Sequence, residues 1–261
     1  MTTAARYWAD QLAAWAIPEE IMAQAPESPW EFSPALFRPP PAEPGPDTVS
    51  RRRAREALPE GGSVLDVGCG GGAAGLALVP PAGQVTGFDQ SADLLAIFSE
   101  RAAELGIRHE AVRGDWPGDA GRVGPADVVV CHHVAYNVPG LAAFAAELTS
   151  HARNRVVMEL SEHHPRFGLN EVWRHFWDAE RPDGPVADDA VAVLAEAGIE
   201  ANVERGPRPA RRTISREARV ASVRRYLCLP ADRDPEIDAL LGDESDLPAQ
   251  VVTLWWEGAA A

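Results

Sequence analysis

The chain has 261 residues, 46% of them hydrophobic and 24% charged, a balance that fills a globular core and excludes a chain disordered throughout. All 24 basic residues are arginine, which excludes lysine Schiff-base chemistry and a P-loop lysine, and the net charge of −15 opposes DNA, RNA and anionic membranes as bulk partners. Without an apolar run fit for a membrane span or signal peptide, and with Cys69, Cys131 and Cys228 too far apart to pair by motif, a cytoplasmic protein with reduced thiols is expected.

Residues 4 to 24 read as two short helices, the first with Trp8, Leu12 and Trp15 on one face and the second opened by Pro18. Eight prolines between Pro26 and Pro46 make an extended connector, after which Ser50 is expected to cap a helix ending near Leu58. From Ser63 apolar runs alternate with helical patterns, the mark of a parallel sheet covered on both faces. Strands are expected at Ser63–Val67, Gln84–Asp89, Glu110–Arg113, Asp127–Cys131 and Arg155–Leu160, with helices at Asp93–Leu105, capped by Ser91, and at Leu141–Ser150. An insert rich in His and Trp, Ser161 to Pro185, precedes a helix over Asp188–Ala197 and a strand near Ile199–Glu204. A helix around Glu217–Leu227 and a last strand, Val251–Trp256, complete the order.

The segment VLDVGCGGG sets Asp66 at a strand end and Gly68, Gly70 and Gly72 in the turn before an expected helix, where free backbone N–H groups receive an anionic group. Gly68-x-Gly70-x-x-Ala73 also fits a looser dinucleotide turn, but a carboxylate just ahead of it repels a pyrophosphate and suits an ammonium group. Here the sequence resembles the class I S-adenosylmethionine-dependent methyltransferases, whose first motif is matched by Asp66, Gly68, Gly70 and Gly72. Asp89 ends the second strand and can accept two ribose hydroxyls, of a methyl donor or of NAD. The resemblance implies that Gln90 lies beside the adenine, that Asp115 of RGDW takes the adenine amino group and that Trp116 flanks the base. It implies a seven-stranded, mostly parallel sheet with helices on both faces and an N-terminal helical cap, with S-adenosyl-L-methionine as cofactor.

Ligands of open α/β sheets sit beyond the carboxyl ends of the strands, so the residues after the fourth and fifth strands are the acceptor candidates. Two histidine pairs emerge there, His132-His133 and His163-His164, with Tyr136, Glu159 and Glu162 close by. A neutral histidine serves an acceptor that must lose a proton, so His133 and Tyr136 are taken as catalytic and His132 as lining the cofactor. Cys131, His133, Glu162 and His163 have ligand atoms but no recognised spacing, and no metal is expected. Trp8, Trp15, Trp30, Trp173 and Trp177, with Phe176 in the same helical face as the last two, suit either a cover over an apolar or aromatic acceptor or simple packing of the cap on the core.

Arg205 to Arg225 holds eight arginines and one acid, Glu217, a local +7 that suits an anionic group on the acceptor or an RNA backbone. Domains are placed at 1–49, the cap and connector, and at 50–261, with inserts at about 161–187 and 205–250. The expected activity is methylation of a small molecule at oxygen, nitrogen or carbon. An RNA methyltransferase, a nicotinamide-dependent oxidoreductase and a non-catalytic S-adenosylmethionine-binding protein are the alternatives.

Overall fold

A computed structural model describes residues 1–29, 47–207, 215–242 and 250–259; Trp30, Arg208, Arg211, Arg212 and most of the proline-rich connector lie outside them. Its strands are β1 (Ser63–Val67), β2 (Gln84–Asp89), β3 (Arg108–Arg113), β4 (Ala126–His132), β5 (Ala152–Ser161), β6 (Asn202–Pro207) and β7 (Gln250–Glu257). The helices are α1 (Thr3–Ala14), α2 (Glu19–Met22), α3 (Val49–Ala57), α4 (Ala92–Glu104), α5 (Leu141–His151), α6 (Asn170–Trp177), α7 (Ala187–Glu196), α8 (Arg216–Tyr226) and α9 (Asp234–Leu240). They form one sheet in the order β3-β2-β1-β4-β5-β7-β6, parallel from β1 to β5, with β7 antiparallel to both neighbours.

Alternation along the central strands sorts side chains between two layers. Leu65, Val67, Val129, Cys131, Val156 and Met158 pack with Trp8 of α1, Phe144 and Leu148 of α5 and Leu194 of α7. Val64, Val85, Val128, Val130 and Val157 pack with Ala54 of α3 and Leu95 and Phe98 of α4. By the same parity Asp66 and Glu159 fall on the α3/α4 face. A third core joins Ile17 and Ile21 of the N-terminal segment to Val172 and Trp173 of α6, Val220 and Val223 of α8 and Ile237 of α9, so three stretches distant in sequence form one cap.

The sequence expectations need correction in several places. No α-helix follows the glycine turn; only a 3-10 turn at Leu76–Leu78 forms there. Gly70 to Gly72 and Gly75 weaken helix nucleation, and Pro80 and Pro81 end the segment before a second turn can form. Thr48, not Ser50, caps α3, its Oγ accepting the Arg51 N–H at 3.1 Å. Pro18 is the capping residue of α2 rather than its first helical one. β3 starts two residues earlier than expected, and β6 starts three residues later, because Gly198 at φ 79° and the Ile199 N–H, bonded to Leu194, first close α7. The short helix α9 was not expected at all.

Candidate active site

The carboxyl ends of β1 to β5 form the rim on which the candidate residues gather. Gly68, Gly70 and Gly72 all have left-handed backbone, with φ of 71°, 51° and 79°. The N–H groups of Gly68 and Cys69 donate to the Phe88 carbonyl, which binds the turn to β2, and the Arg101 guanidinium of α4 donates to the Gly71 carbonyl. Asp89 bridges this turn and the start of α4, accepting the Gly70 N–H at 2.8 Å on one carboxylate oxygen and the Ser91 N–H at 2.9 Å on the other. Next to it the Gln90 side-chain amide donates to Asp115 at 2.7 Å, and Arg113 Nε donates to the Gln90 carbonyl at 3.0 Å. Gln90, Arg113, Gly114, Asp115, Asp119 and Arg122 line an open recess of about 530 Å³. The loops after β2 and β3 are thus brought together, with Gln90 and Asp115 in direct contact.

Asp66 and Trp116 are turned away from this recess. Asp66 is 1% exposed, and one carboxylate oxygen accepts the Gly75 N–H at 2.8 Å beneath the turn. Burial pushes its carboxyl up to about 7 against the Gly75 hydrogen bond, and the Asp89 charge pushes the same way. It is a buried brace for the turn. Trp116 is 8% exposed; its ring meets Phe88 and His151 edge-on and its Nε1 donates to the Phe144 carbonyl at 3.4 Å, so it fills the core.

The residues after β4 divide in the same way. His133 has φ 59°, a left-handed conformation uncommon outside glycine, and is fixed there by its N–H donating to the Glu159 carbonyl at 2.7 Å. Its Nε2 lies 3.3 Å from Glu159 Oε1, and its side chain is 43% exposed. Glu159, 5% exposed on β5, accepts the Ser50 hydroxyl on its other oxygen at 2.6 Å. Burial favours the neutral acid, yet the His132 charge and the hydrogen bonds from His133 and Ser50 hold Glu159 ionised, at about 2. His132 is lowered by burial, and its buried Nε2 has no hydrogen-bond partner among the described residues.

The Tyr136 hydroxyl donates to the Ser161 carbonyl at 2.9 Å, its ring stacks on Trp8 and burial raises its phenol, so it ties the loop after β4 to the end of β5. His164 stacks on Trp15 with centroids 4.0 Å apart; burial, then Arg166 and Arg181, lower it to about 3. The aromatic face of α6 packs inside the cap, Trp177 Nε1 donating to the Leu227 carbonyl, so Trp173, Phe176 and Trp177 build the cap's own core. Three arginines of the basic stretch have carboxylate partners within the chain: Arg205 pairs with Glu162 and Asp188, Arg216 with Asp238, and Arg224 with Glu27 and Asp234. Among the described residues no group of three or more His, Cys, Asp or Glu is arranged to hold a metal, and no helix is long and apolar enough to cross a membrane.

Sequence reasoning missed the roles of Ser50 and Arg113. Ser50 reads as a cap, but Thr48 two residues earlier takes that place and leaves the Ser50 hydroxyl to donate to Glu159; two hydroxyl residues on either side of Val49 were the available signal.

Residues 64–155 match a family model described as a methyltransferase domain. No curated protein matches the chain. Similar solved structures include the YcgJ protein of Bacillus subtilis, with 14% identity, 81% of this chain and 99% of that one covered, and a TM-score of 0.54. A SAM-dependent methyltransferase from Thiobacillus denitrificans in complex with S-adenosyl-L-homocysteine gives 18%, 94% and 99%, with a TM-score of 0.51. A structure from work on conversion of a disulfide bond into a thioacetal group during echinomycin biosynthesis gives 20%, 87% and 88%, with a TM-score of 0.53. At these identities the likeness establishes the fold.

Proposed function

The chain carries a methyltransferase domain over residues 64–155 within a class I fold, and from that premise we propose that it transfers a methyl group from S-adenosylmethionine to a small molecule. The observation that carries this reading is the joining of Asp89, Gln90 and Asp115 on adjacent loops at the carboxyl ends of β2 and β3. Two of the roughly four acceptor positions of the Asp89 carboxylate are taken by the Gly70 and Ser91 N–H groups, leaving the others for two ribose hydroxyls. Gln90 and Asp115 at the mouth of the open recess offer a donor and an acceptor to a purine edge.

These residues fit the nucleoside end of the cofactor. With Asp66 withdrawn beneath the turn and the N–H groups of Gly68, Cys69, Gly70 and Gly72 donating within the chain, the amino-acid end is left to the remaining backbone groups of the turn, whose three left-handed residues keep side chains out of its way. When bound, the cofactor supplies an electrophilic methyl carbon on a sulfonium. The chain's own part is to hold donor and acceptor in line, exclude water beneath the cap and receive a proton where the acceptor loses one. We assign residues 50–261 to the domain and the segment before it to the cap, whose core it shares with α6, α8 and α9.

A small-molecule acceptor is favoured over RNA because Arg205, Arg216 and Arg224 are already matched by carboxylates of the same chain. The same fold serves echinomycin biosynthesis, the making of a small molecule. Incubation with methyl-labelled S-adenosylmethionine and a metabolite extract, followed by mass spectrometry, tests the reading: a labelled small molecule supports it. Cofactor binding without any labelled product favours a non-catalytic binder, and label in RNA overturns the acceptor class.

A further inference from the structure

We infer that Glu159, locked by Ser50, is a positioning residue that keeps the proton of His133 on Nε2 and leaves Nδ1 as the base for an acceptor that must lose a proton, a hydroxyl or a ring N–H. The inference rests on the methyl-transfer reading and narrows its substrate class. Glu159 is a buried carboxylate whose only ion-pair partner among the described residues is the His133 imidazole. A buried carboxylate needs donors on both oxygens. One is the Ser50 hydroxyl, at the second position of α3, which lies 3.0 Å from the capping Thr48 hydroxyl and donates its own hydrogen to Glu159. The other is His133 Nε2, which must carry a hydrogen to serve.

Backbone geometry reinforces the pairing. The strand partner of His132 is Glu159, and the His133 N–H donates to the carbonyl of that same residue, so backbone and side chain of His133 both answer to Glu159. The left-handed backbone at His133 is the type of local strain that surrounding structure must hold in place. The next residue, Val134, lies against the glycine turn: a Cβ on Gly68 would stand 2.3 Å from its Cγ2. The exposed edge of His133 is therefore anchored beside the turn proposed to receive the cofactor. In the step assigned to it, an acceptor O–H or N–H bond breaks, the proton joins the Nδ1 lone pair, and the bonding electrons stay on the acceptor atom. The imidazolium so formed is balanced by the Glu159 carboxylate, and its proton passes afterwards to water.

Histidine-selective 15N labelling with long-range 1H–15N correlation at pH 8 reads the tautomer directly, His133 being assigned by its loss in His133→Gln. The wild type is expected to show His133 as the Nε2–H form. Glu159→Gln, which can donate toward Nε2, is expected to convert it to the Nδ1–H form or to a mixture. Ser50→Ala, a milder change that keeps the carboxylate, is expected to broaden the Nε2–H population and serves if Glu159→Gln does not fold. A wild type in the Nδ1–H form, or a ratio unmoved by either folded variant, overturns the inference. Binding of S-adenosylhomocysteine to the wild type, measured separately, decides the methyl-transfer reading: binding with the wrong tautomer refutes the positioning role alone.

Discussion

Asp66→Asn should flatten a fall in stability that the wild type shows between about pH 4 and pH 8. The carboxyl is 1% exposed with the Gly75 N–H as its hydrogen bond, and burial raises it from 3.8 to about 7 in the fold. An acid raised on folding stabilises the native state while it keeps its proton; that contribution is whole below pH 3.8 and is lost as pH rises through 7. About three units at 1.36 kcal/mol each amount to about 4 kcal/mol. Asparagine keeps an oxygen for the Gly75 N–H and does not titrate. Two other groups run the opposite way: Glu159, held at about 2, loses its contribution as pH falls through that value, and His164, lowered to about 3, opposes folding as pH falls below its ordinary range. Both are shared by the two proteins and cancel in the difference. Urea denaturation at half-unit steps should show the variant gaining on the wild type by several kcal/mol from pH 4 to 8. Parallel stability curves would refute the account of Asp66 as a buried brace.

Gly68→Ala combines a left-handed φ of 71° with a Cβ 2.3 Å from Val134 Cγ2, and a loss of about 3 kcal/mol is expected by thermal denaturation. Gly106→Ala, at φ 66° with nothing within 4 Å, should lose only about 1 kcal/mol, and Val134→Ala should restore part of the Gly68→Ala loss. Arg181, 9% exposed, donates to the Trp15 and Ala16 carbonyls that end α1 and lies over the Trp173 ring at 4.6 Å. Arg181→Met should cost about 3 kcal/mol and speed proteolytic cutting between α1 and α2, and unchanged cutting would show that the cap is held elsewhere.

The order of elements was legible because the central strands are continuous apolar runs closed by Asp, Gly and Pro, and because Ser91 stands where a cap must. The resemblance put Gln90 and Asp115 on neighbouring strand ends, but not their direct hydrogen bond. Which way a side chain turns was less legible. Asp66 is two residues from Val64 on the strand, and that parity already pointed it into the α3/α4 layer, but the motif drew attention to the ligand instead. Trp116 sits one residue beyond Asp115, and only the packing of Phe88, Phe144 and His151 shows that the core claims it. The helix expected after the glycine turn failed on local grounds, too many glycines before a proline pair. An N-terminal cap was expected, but its core was illegible because it joins residues about 200 positions apart in the chain, such as Ile17 and Val220, through contacts that no local periodicity records.

Isothermal titration of S-adenosylhomocysteine into the wild type and into Asp89→Ala tests the central claim most directly, because Asp89 joins the glycine turn, the start of α4 and the proposed ribose site. The account predicts saturable binding to one site in the wild type and at least a tenfold weaker affinity in the variant, the loss of about 1.4 kcal/mol or more. No binding to the wild type, or equal affinity in a folded variant, would contradict it.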